Sequence, residues 1–361
     1  MSASPARKIT IALDVEGGDH APHSAIKGAE EARLRYPDAR FLLFGRPEII
    51  EPALAAFPAL KQIAEIRATT AVISAEEKPS VALRQGKESS MYKAIHAVKE
   101  GAAQGIVSAG NTGALMAIAK LALRMLPGID RPAIASLLPT QAGDVVMLDL
   151  GANTECDANN LFEFAVMGEA FARAVLGTPK PRIGLLNIGS EDGKGHEEIR
   201  AAAQLLKNTK LPISFQGYVE GNDITKGVVD VVVTDGFTGN VALKSIEGIG
   251  ELCARFIKDA FHSSLFAKIG FFLAKPALTL LFNRINPQHY NGAMLLGLNG
   301  IVVKSHGRAD AFGFANAIGV AYNLAAFDVN AKITEDVRLF HESEEAAKVL
   351  VTTPSVAAAE V

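Results

Sequence analysis

The chain has 361 residues, 49% of them apolar and 21% charged, with a net charge of −3 at pH 7. This composition excludes a disordered or collagen-like chain, and no nucleic-acid partner is expected of so weakly acidic a protein. Two cysteines, Cys156 and Cys253, exclude a disulfide framework and a four-thiolate zinc site.

The first residues lack the apolar core of a signal peptide, and the pattern of a buried strand begins at once with Ile9-Thr-Ile-Ala-Leu-Asp14. A glycine loop and a helix over 24–36 follow, then a strand at Phe41-Leu-Leu-Phe-Gly45 and a helix opened by Pro47. Gly105–Ala109, Val145–Asp149, Ile183–Asn187 and Val229–Thr234 repeat the theme, each preceding a small polar loop and a helix. Strands apolar on both faces, alternating with helices, predict an α/β fold with an open, doubly wound, mostly parallel sheet. One large catalytic domain over 1–350 is expected, with a frayed tail over 351–361. Residues from Glu251 to Arg284 read as a long helical region broken near Lys275-Pro276. They form a protruding arm, continuing to about residue 300, that meets a second subunit, an acidic partner or a membrane. Its most apolar window, Leu265 to Phe282, contains Lys268, Lys275 and Pro276, so it is not expected to cross a bilayer. A cytoplasmic chain, with contact to anionic membrane through this arm, is the expectation.

Ligands of open α/β sheets bind at the carboxyl ends of strands, where helix N-termini offer free N–H groups to anions. Four such ends mix glycine with hydroxyl or amide side chains: Ser108-Ala-Gly-Asn-Thr-Gly113, Leu150-Gly-Ala-Asn153, Asn187–Gly195 and Thr234–Asn240. From these, Ser108, Asn111, Thr112, Gly113, Asn153, Ser190, Asp235, Thr238, Gly239 and Asn240 are candidate phosphate-binding residues. Lys194 is a lone cation among glycines. Each loop alone is equally an ordinary turn followed by an ordinary N-cap. Neither G-x-G-x-x-G after a strand nor G-x-x-x-x-G-K-[ST] is present, which favours a small phosphate ligand over a dinucleotide or a nucleoside triphosphate.

The turn after the first strand is denser. Asp14, Gly17, Gly18 and Asp19 join the candidate phosphate ligands. Asp14, Glu16, Asp19, His20 and His23 make a metal site conceivable without any recognised ligand spacing, so none is assigned. Asp19 capping the next helix is the plainer reading. Cys156, in Thr-Glu-Cys-Asp, lacks an activating cation and reads as a structural thiol.

Glu16-Gly-Gly-Asp-His-Ala-Pro22, Ser108–Met116, Leu185-Leu-Asn-Ile-Gly189 with Lys194-Gly195, Thr234–Lys244, Tyr290–Gly297 and Lys304-Ser-His-Gly307 together resemble the bacterial phosphate acyltransferase family, PlsX, in order over about residues 8–325. The resemblance implies transfer of a fatty acyl group from acyl carrier protein to inorganic phosphate for phospholipid synthesis. It also implies a homodimer, no cofactor, and a fold related to phosphotransacetylases and isocitrate-type dehydrogenases. Lys194, His20 and His306 become the candidate catalytic residues, either histidine protonating the leaving thiolate. Where the family usually has Ala-Met before the first glycines, this chain has Val15-Glu16. Two rival readings remain: a metal- and NAD-dependent decarboxylating dehydrogenase of related fold, and a non-enzymatic carrier-protein or membrane adaptor.

Overall fold

The structure is a computed structural model and describes residues 8–352, so the last nine residues of the expected frayed tail lie outside it. β1 (Ile9–Asp14) turns into α1 (His23–Arg35), and β2 (Ala39–Gly45) passes into α2 (Pro47–Ala55), where Pro47 takes the first helical position, which needs no N–H. Next come α3 (Pro58–Lys61), β3 (Ala64–Ala68), α4 (Pro79–Gln85), α5 (Ser90–Lys99), β4 (Gly105–Ser108) and α6 (Thr112–Leu123). A hairpin of β5 (Ala133–Thr140) and β6 (Gly143–Leu148) leads to α7 (Ala158–Leu176), β7 (Arg182–Leu186), α8 (Glu197–Asn208), β8 (Ser214–Val219), α9 (Gly221–Lys226) and β9 (Val231–Val233). The long helices α10 (Gly236–His262) and α11 (Leu265–Ile285) precede β10 (Ala293–Leu296), β11 (Ile301–Lys304), α12 (Ala311–Ala326) and α13 (Val329–Thr352).

One sheet of eleven strands runs through the chain in the order β3-β2-β1-β4-β11-β10-β5-β6-β9-β7-β8. β3 through β11 in that order are parallel, and so are β6, β9, β7 and β8. Between these halves the pairings β11–β10, β10–β5 and β5–β6 are all antiparallel. Three successive reversals leave the two halves pointing in opposite directions. Sequence pattern alone places the loops after β4, β6, β7 and β9 along one edge. The structure corrects this: β1, β4 and β11 end at one edge of the sheet, and β6, β7 and β9 end at the other.

Both faces of the sheet are covered. On one, α1, α7 and α12 bury Phe162, Phe164, Phe171 and Phe314 against the strands. On the other, Ala12, Ile106, Val302 and Leu295 meet Met91 and Ile95 of α5 and Leu115 and Ile118 of α6. Farther along that second face, Leu138, Val145, Met147 and Val232 meet Ala242, Leu243 and Ile246 of α10. Ile134 of β5 packs against both of these last clusters, so α6 and α10 lie over the same face, one on each half.

The arm also differs from its sequence reading. α10 is continuous from Gly236, and the break falls at Ser263-Ser264 instead of Lys275-Pro276. Ser264 is extended and its hydroxyl accepts from the Ala267 N–H, which starts a new helix there, whereas Pro276 gives up one backbone bond inside α11 without ending it. The helical segment stops at Ile285. Residues up to 300 do not belong to it, because β10 lies near the middle of the sheet.

Candidate active site

Asp14, Ser108 and Lys304 stand side by side in register across β1, β4 and β11, and Lys304 pairs on its other side with Ala293 of β10. Ala12, Ile106 and Val302, two residues earlier on the same strands, lie beneath α5 and α6. Side chains two apart share a face, so a polar row emerges where the apolar floor ends. Asp14 is buried and accepts from the Ser90 and Ser108 hydroxyls, each at 2.6 Å. Burial raises its pKa against the pull of those two bonds. Lys304 Nζ donates to the carbonyls of Ala109, at 3.4 Å, and Ser305. Burial lowers its pKa to about 8, with Asp14 and Asp19 pulling the other way. The sequence reading names Lys304 only within the Lys304-Ser-His-Gly307 motif and gives it no role in the site. The signal it passed over was position: the last residue of a buried strand, two after Val302.

The turn after β1 folds over this row. A Cβ at Gly17 would come 2.8 Å from the Gly110 nitrogen, so only glycine lets the two loops meet backbone to backbone. The Asp19 N–H donates to the Gly307 carbonyl at 2.9 Å, tying in the loop after β11. Gly18 lies between these contacts, and Asp19 and His20 are exposed. Asp19 does not cap α1, whose N-cap is Pro22 with no side-chain bond. Glu16 turns away from the turn: it pairs with Arg46 Nε at 2.8 Å and accepts the Arg46 N–H at 3.1 Å, so its charge is neutralised elsewhere. Among the described residues no three of His, Cys, Asp and Glu gather in a metal-holding group.

His306 is exposed beside Lys304. Its N–H donates to Asn291 Oδ1 at 2.8 Å, and its Nδ1 accepts the Arg308 N–H at 3.1 Å. Burial, Lys304, Lys244 and Arg308 depress its pKa, opposed by Glu247. The ring is therefore neutral at pH 7 with its proton on Nε2: a hydrogen-bond donor to an anion, and a poor source of a proton for a thiolate. At the start of α6, Asn111 Oδ1 accepts the Ala114 N–H, while its amide nitrogen donates to the carbonyls of Ser74, Ala75 and Glu77. Asn111 is thus committed to its loops. Thr112 is exposed and Gly113 half-buried on the first turn.

At the opposite edge Asp149 is wholly buried, its carboxylate accepting the N–H groups of Ile134, Gly151, Ala152 and Asn153. Asn153 donates its amide hydrogens to Pro132 and Asp149, at 2.7 and 2.9 Å, leaving no side-chain donor for an anion. α10 begins on this loop. The Gly236 N–H donates to the Asn153 carbonyl at 2.7 Å, and a side chain at Gly239 would overlap the Asp149 carbonyl. Gly239 is therefore a packing glycine, its own N–H bonded to the Asp235 carbonyl. Asp235 caps α10, accepting the N–H and hydroxyl of Thr238 at 2.8 and 2.7 Å. Asn240 is exposed one turn on, with its amide beside Gly151. Ser190 and Lys194 are exposed on the loop after β7, which Asn187 closes by donating to the Lys194 carbonyl at 3.1 Å. Cys156 lies under α10, its pKa pushed up to about 12 by burial and Asp149, so no thiolate forms at neutral pH.

α10 connects the two edges. It starts at the Asp149 loop, crosses the sheet on Ala242, Leu243 and Ile246, and brings Lys244 and Glu247 within electrostatic reach of His306. Between α10 and α6 the floor residues Ile134, Ser136, Ala293 and Lys304 are only half-buried. The groups separated by the strand reversal thus flank one half-covered face of the sheet, with α10 running between them.

A model of the fatty acid synthesis protein family matches residues 9–332. The chain belongs to that family. It is 57% identical to a phosphate acyltransferase of Paramagnetospirillum magneticum, over 91% of this chain and 93% of the relative. The phosphate acyltransferase of Caulobacter vibrioides is 50% identical, over 95% of each. Among solved structures, a phosphotransacetylase from Streptococcus pyogenes aligns with a TM-score of 0.58 at 17% identity, over 88% of this chain and 94% of that one. A branched-chain phosphotransacylase from Enterococcus faecalis gives 0.55 at 14%, over 88% and 99%. These two likenesses establish the α/β fold with its large, mostly parallel sheet. As a member of the family, the chain is an acyltransferase.

Proposed function

We propose that the cleft transfers a fatty acyl group from acyl carrier protein to inorganic phosphate, giving an acyl phosphate for phospholipid synthesis. The observation that supports this best is that cations and free donors from both halves of the sheet flank one half-covered face, over which α10 runs. A phosphate oxygen attacks the thioester carbonyl, the C–O bond forms, and the C–S bond breaks as the oxyanion collapses. Attack by hydrogen phosphate leaves its own proton to end on the departing sulfur, so the balance needs no protein nucleophile and no histidine acid. The protein holds a dianion against an electrophile and stabilises the charge that develops. Lys194 and Asn240 serve that charge from the β7 and β9 side, on phosphate or on the carbonyl oxygen. The Gly17-Gly18 turn, Asp19, His20 and the first turn of α6 shape the other.

The protein acts as a cytoplasmic homodimer whose arm also touches anionic membrane. Incubation with palmitoyl-carrier protein and phosphate, followed by mass analysis, should yield palmitoyl phosphate and free carrier thiol. No acyl phosphate from correctly charged carrier would refute the reading.

A further inference from the structure

Lys304 is the one lysine among the described residues whose ammonium burial carries to a pKa near 8, and it has no carboxylate within ion-pair distance. Its bonds go to the carbonyls of Ala109 and Ser305 alone. The nearest acid in the row, Asp14, is turned to Ser90 and Ser108, and Asp19 is exposed to solvent. A desolvated cation without a counter-ion is costly, and proteins keep such groups where an anion will complete them. Around it stand further donating groups, His306 with Nε2–H free to donate and Arg308, whereas Lys244, also within electrostatic reach of His306, is already paired with Glu247 at 2.7 Å. The Ala293 methyl and half-buried Ser136 leave the side towards β5 open.

We infer that Lys304 is the residue that binds the attacking inorganic phosphate, its ammonium left uncompensated by the fold so that the dianion supplies the missing charge. This rests on the reading of the cleft as a phosphate acyltransferase site and adds the residue that fixes the nucleophile. Asp14, its carboxylate turned to the Ser90 and Ser108 hydroxyls, makes no ion pair with Lys304 and only opposes the loss of the lysine's proton. The same ammonium chemistry suits the phosphodiester of a carrier's pantetheine arm, so the test must separate the two sources.

Lys304→Met and Lys304→Gln remove the charge and keep most of the volume. With either, KM for phosphate should rise roughly ten- to hundredfold, the range expected for loss of a charge-assisted contact. KM for the acyl carrier should stay unchanged, and Lys304→Arg should recover part of the loss. Because a partly desolvated charge with no ion-pair partner is removed, the ligand-free melting temperature of Lys304→Met should equal or exceed that of wild type. Inorganic phosphate alone should raise the wild-type melting temperature and leave that of Lys304→Met unmoved. As the ammonium deprotonates above about pH 8, with Asp14, Asp19 and His306 facing it, phosphate should lose hold of wild type while Lys304→Arg keeps it.

The assignment is overturned if KM for phosphate does not move, if the carrier KM moves in its place, or if Lys304→Met melts lower and still responds to phosphate. Failure of wild type to form acyl phosphate would sink the proposed reaction. The phosphate-dependent melting shift would still judge Lys304.

Discussion

A hydroxyl that already donates has little left for a ligand, and Thr238 is such a case. Its N–H and O–H both go to the Asp235 carboxylate. Thr238→Val should therefore cost about 0.5–1 kcal/mol of stability, as for other cap contacts, and leave kcat unchanged. A collapse of kcat at constant melting temperature would return Thr238 to the reaction. Lys194 is the opposite case, an exposed side chain outside every ion pair formed among the described residues. Lys194→Ala should leave melting unchanged and lower activity about ten- to hundredfold, the worth of a charge-assisted bond of about 1.5–3 kcal/mol. Normal kinetics at every phosphate concentration would remove Lys194 from the site. The glycine, serine and asparagine loops were legible in the sequence as a set. Which members are spent on their own loops was not, because N-caps and anion ligands are the same residue types and only their neighbours decide. Asn111 and Asn153 are spent in this way, and Lys304, quoted within a motif, received no role because Ile301–Lys304 was not read as a strand.

At the scale of elements, α10 is held at its start by contact too close for any side chain. A Cβ at Gly239 would overlap the Asp149 carbonyl, whereas one at Gly248, two turns later on the same helix, meets nothing within 4 Å. Gly239→Ala should cost about 1–3 kcal/mol or more through overpacking and displace the Asp149 loop. Gly248→Ala should be neutral or stabilise by up to about 1 kcal/mol, since alanine is the better helix former. Equal melting temperatures for the two variants would show that α10 is not seated on that loop. β1, β2, β4, β6, β7 and β9 were readable from their apolar runs, whereas β3, β8 and β11 of the same parallel halves were not read. The relative direction of the two halves was not readable, because it depends on the pairing of β10 and β5, whose partners no local run reveals. β10 spans only Ala293–Leu296, and β5 alternates buried and half-buried residues up to Pro139. Reversal across them is a property of long-range pairing, and no window of sequence carries it. The arm break was misplaced for the opposite reason: the strongest local breaker, Pro276, is tolerated, and a serine cap supplies the real boundary.

For the whole molecule the unresolved energy lies in the arm. Beyond Gly248, α10 and α11 pack on each other, with Phe261 edge-on to Phe271, yet Phe266 is 87% exposed, Phe272 76% and Leu273 75%. So much apolar surface on one projecting hairpin marks a contact surface. The basic segment from Ala260 to Ala309, free of Asp and Glu, divides in the fold: Lys268 and Lys275 stay on the arm, Arg284 donates to the Thr140 carbonyl, and Lys304 enters the cleft. Leu265–Phe282 has the length and composition of a membrane span, but its helix packs back on α10 and carries both arm lysines. That geometry suits helices that pair between two subunits while their tips reach lipid. Sedimentation should find the wild type dimeric, and Phe266→Asp with Leu273→Asp should yield monomers with little change in melting, because neither side chain is buried within the protomer. In flotation at low salt, wild type should rise with phosphatidylglycerol vesicles, and Lys268→Glu with Lys275→Glu should remain below, since each basic residue near an anionic surface contributes about 1 kcal/mol. A wild type that is dimeric but never floats would assign the exposed phenylalanines to the subunit interface and leave the two lysines for the acidic carrier. A monomeric wild type would remove the subunit interface from the arm.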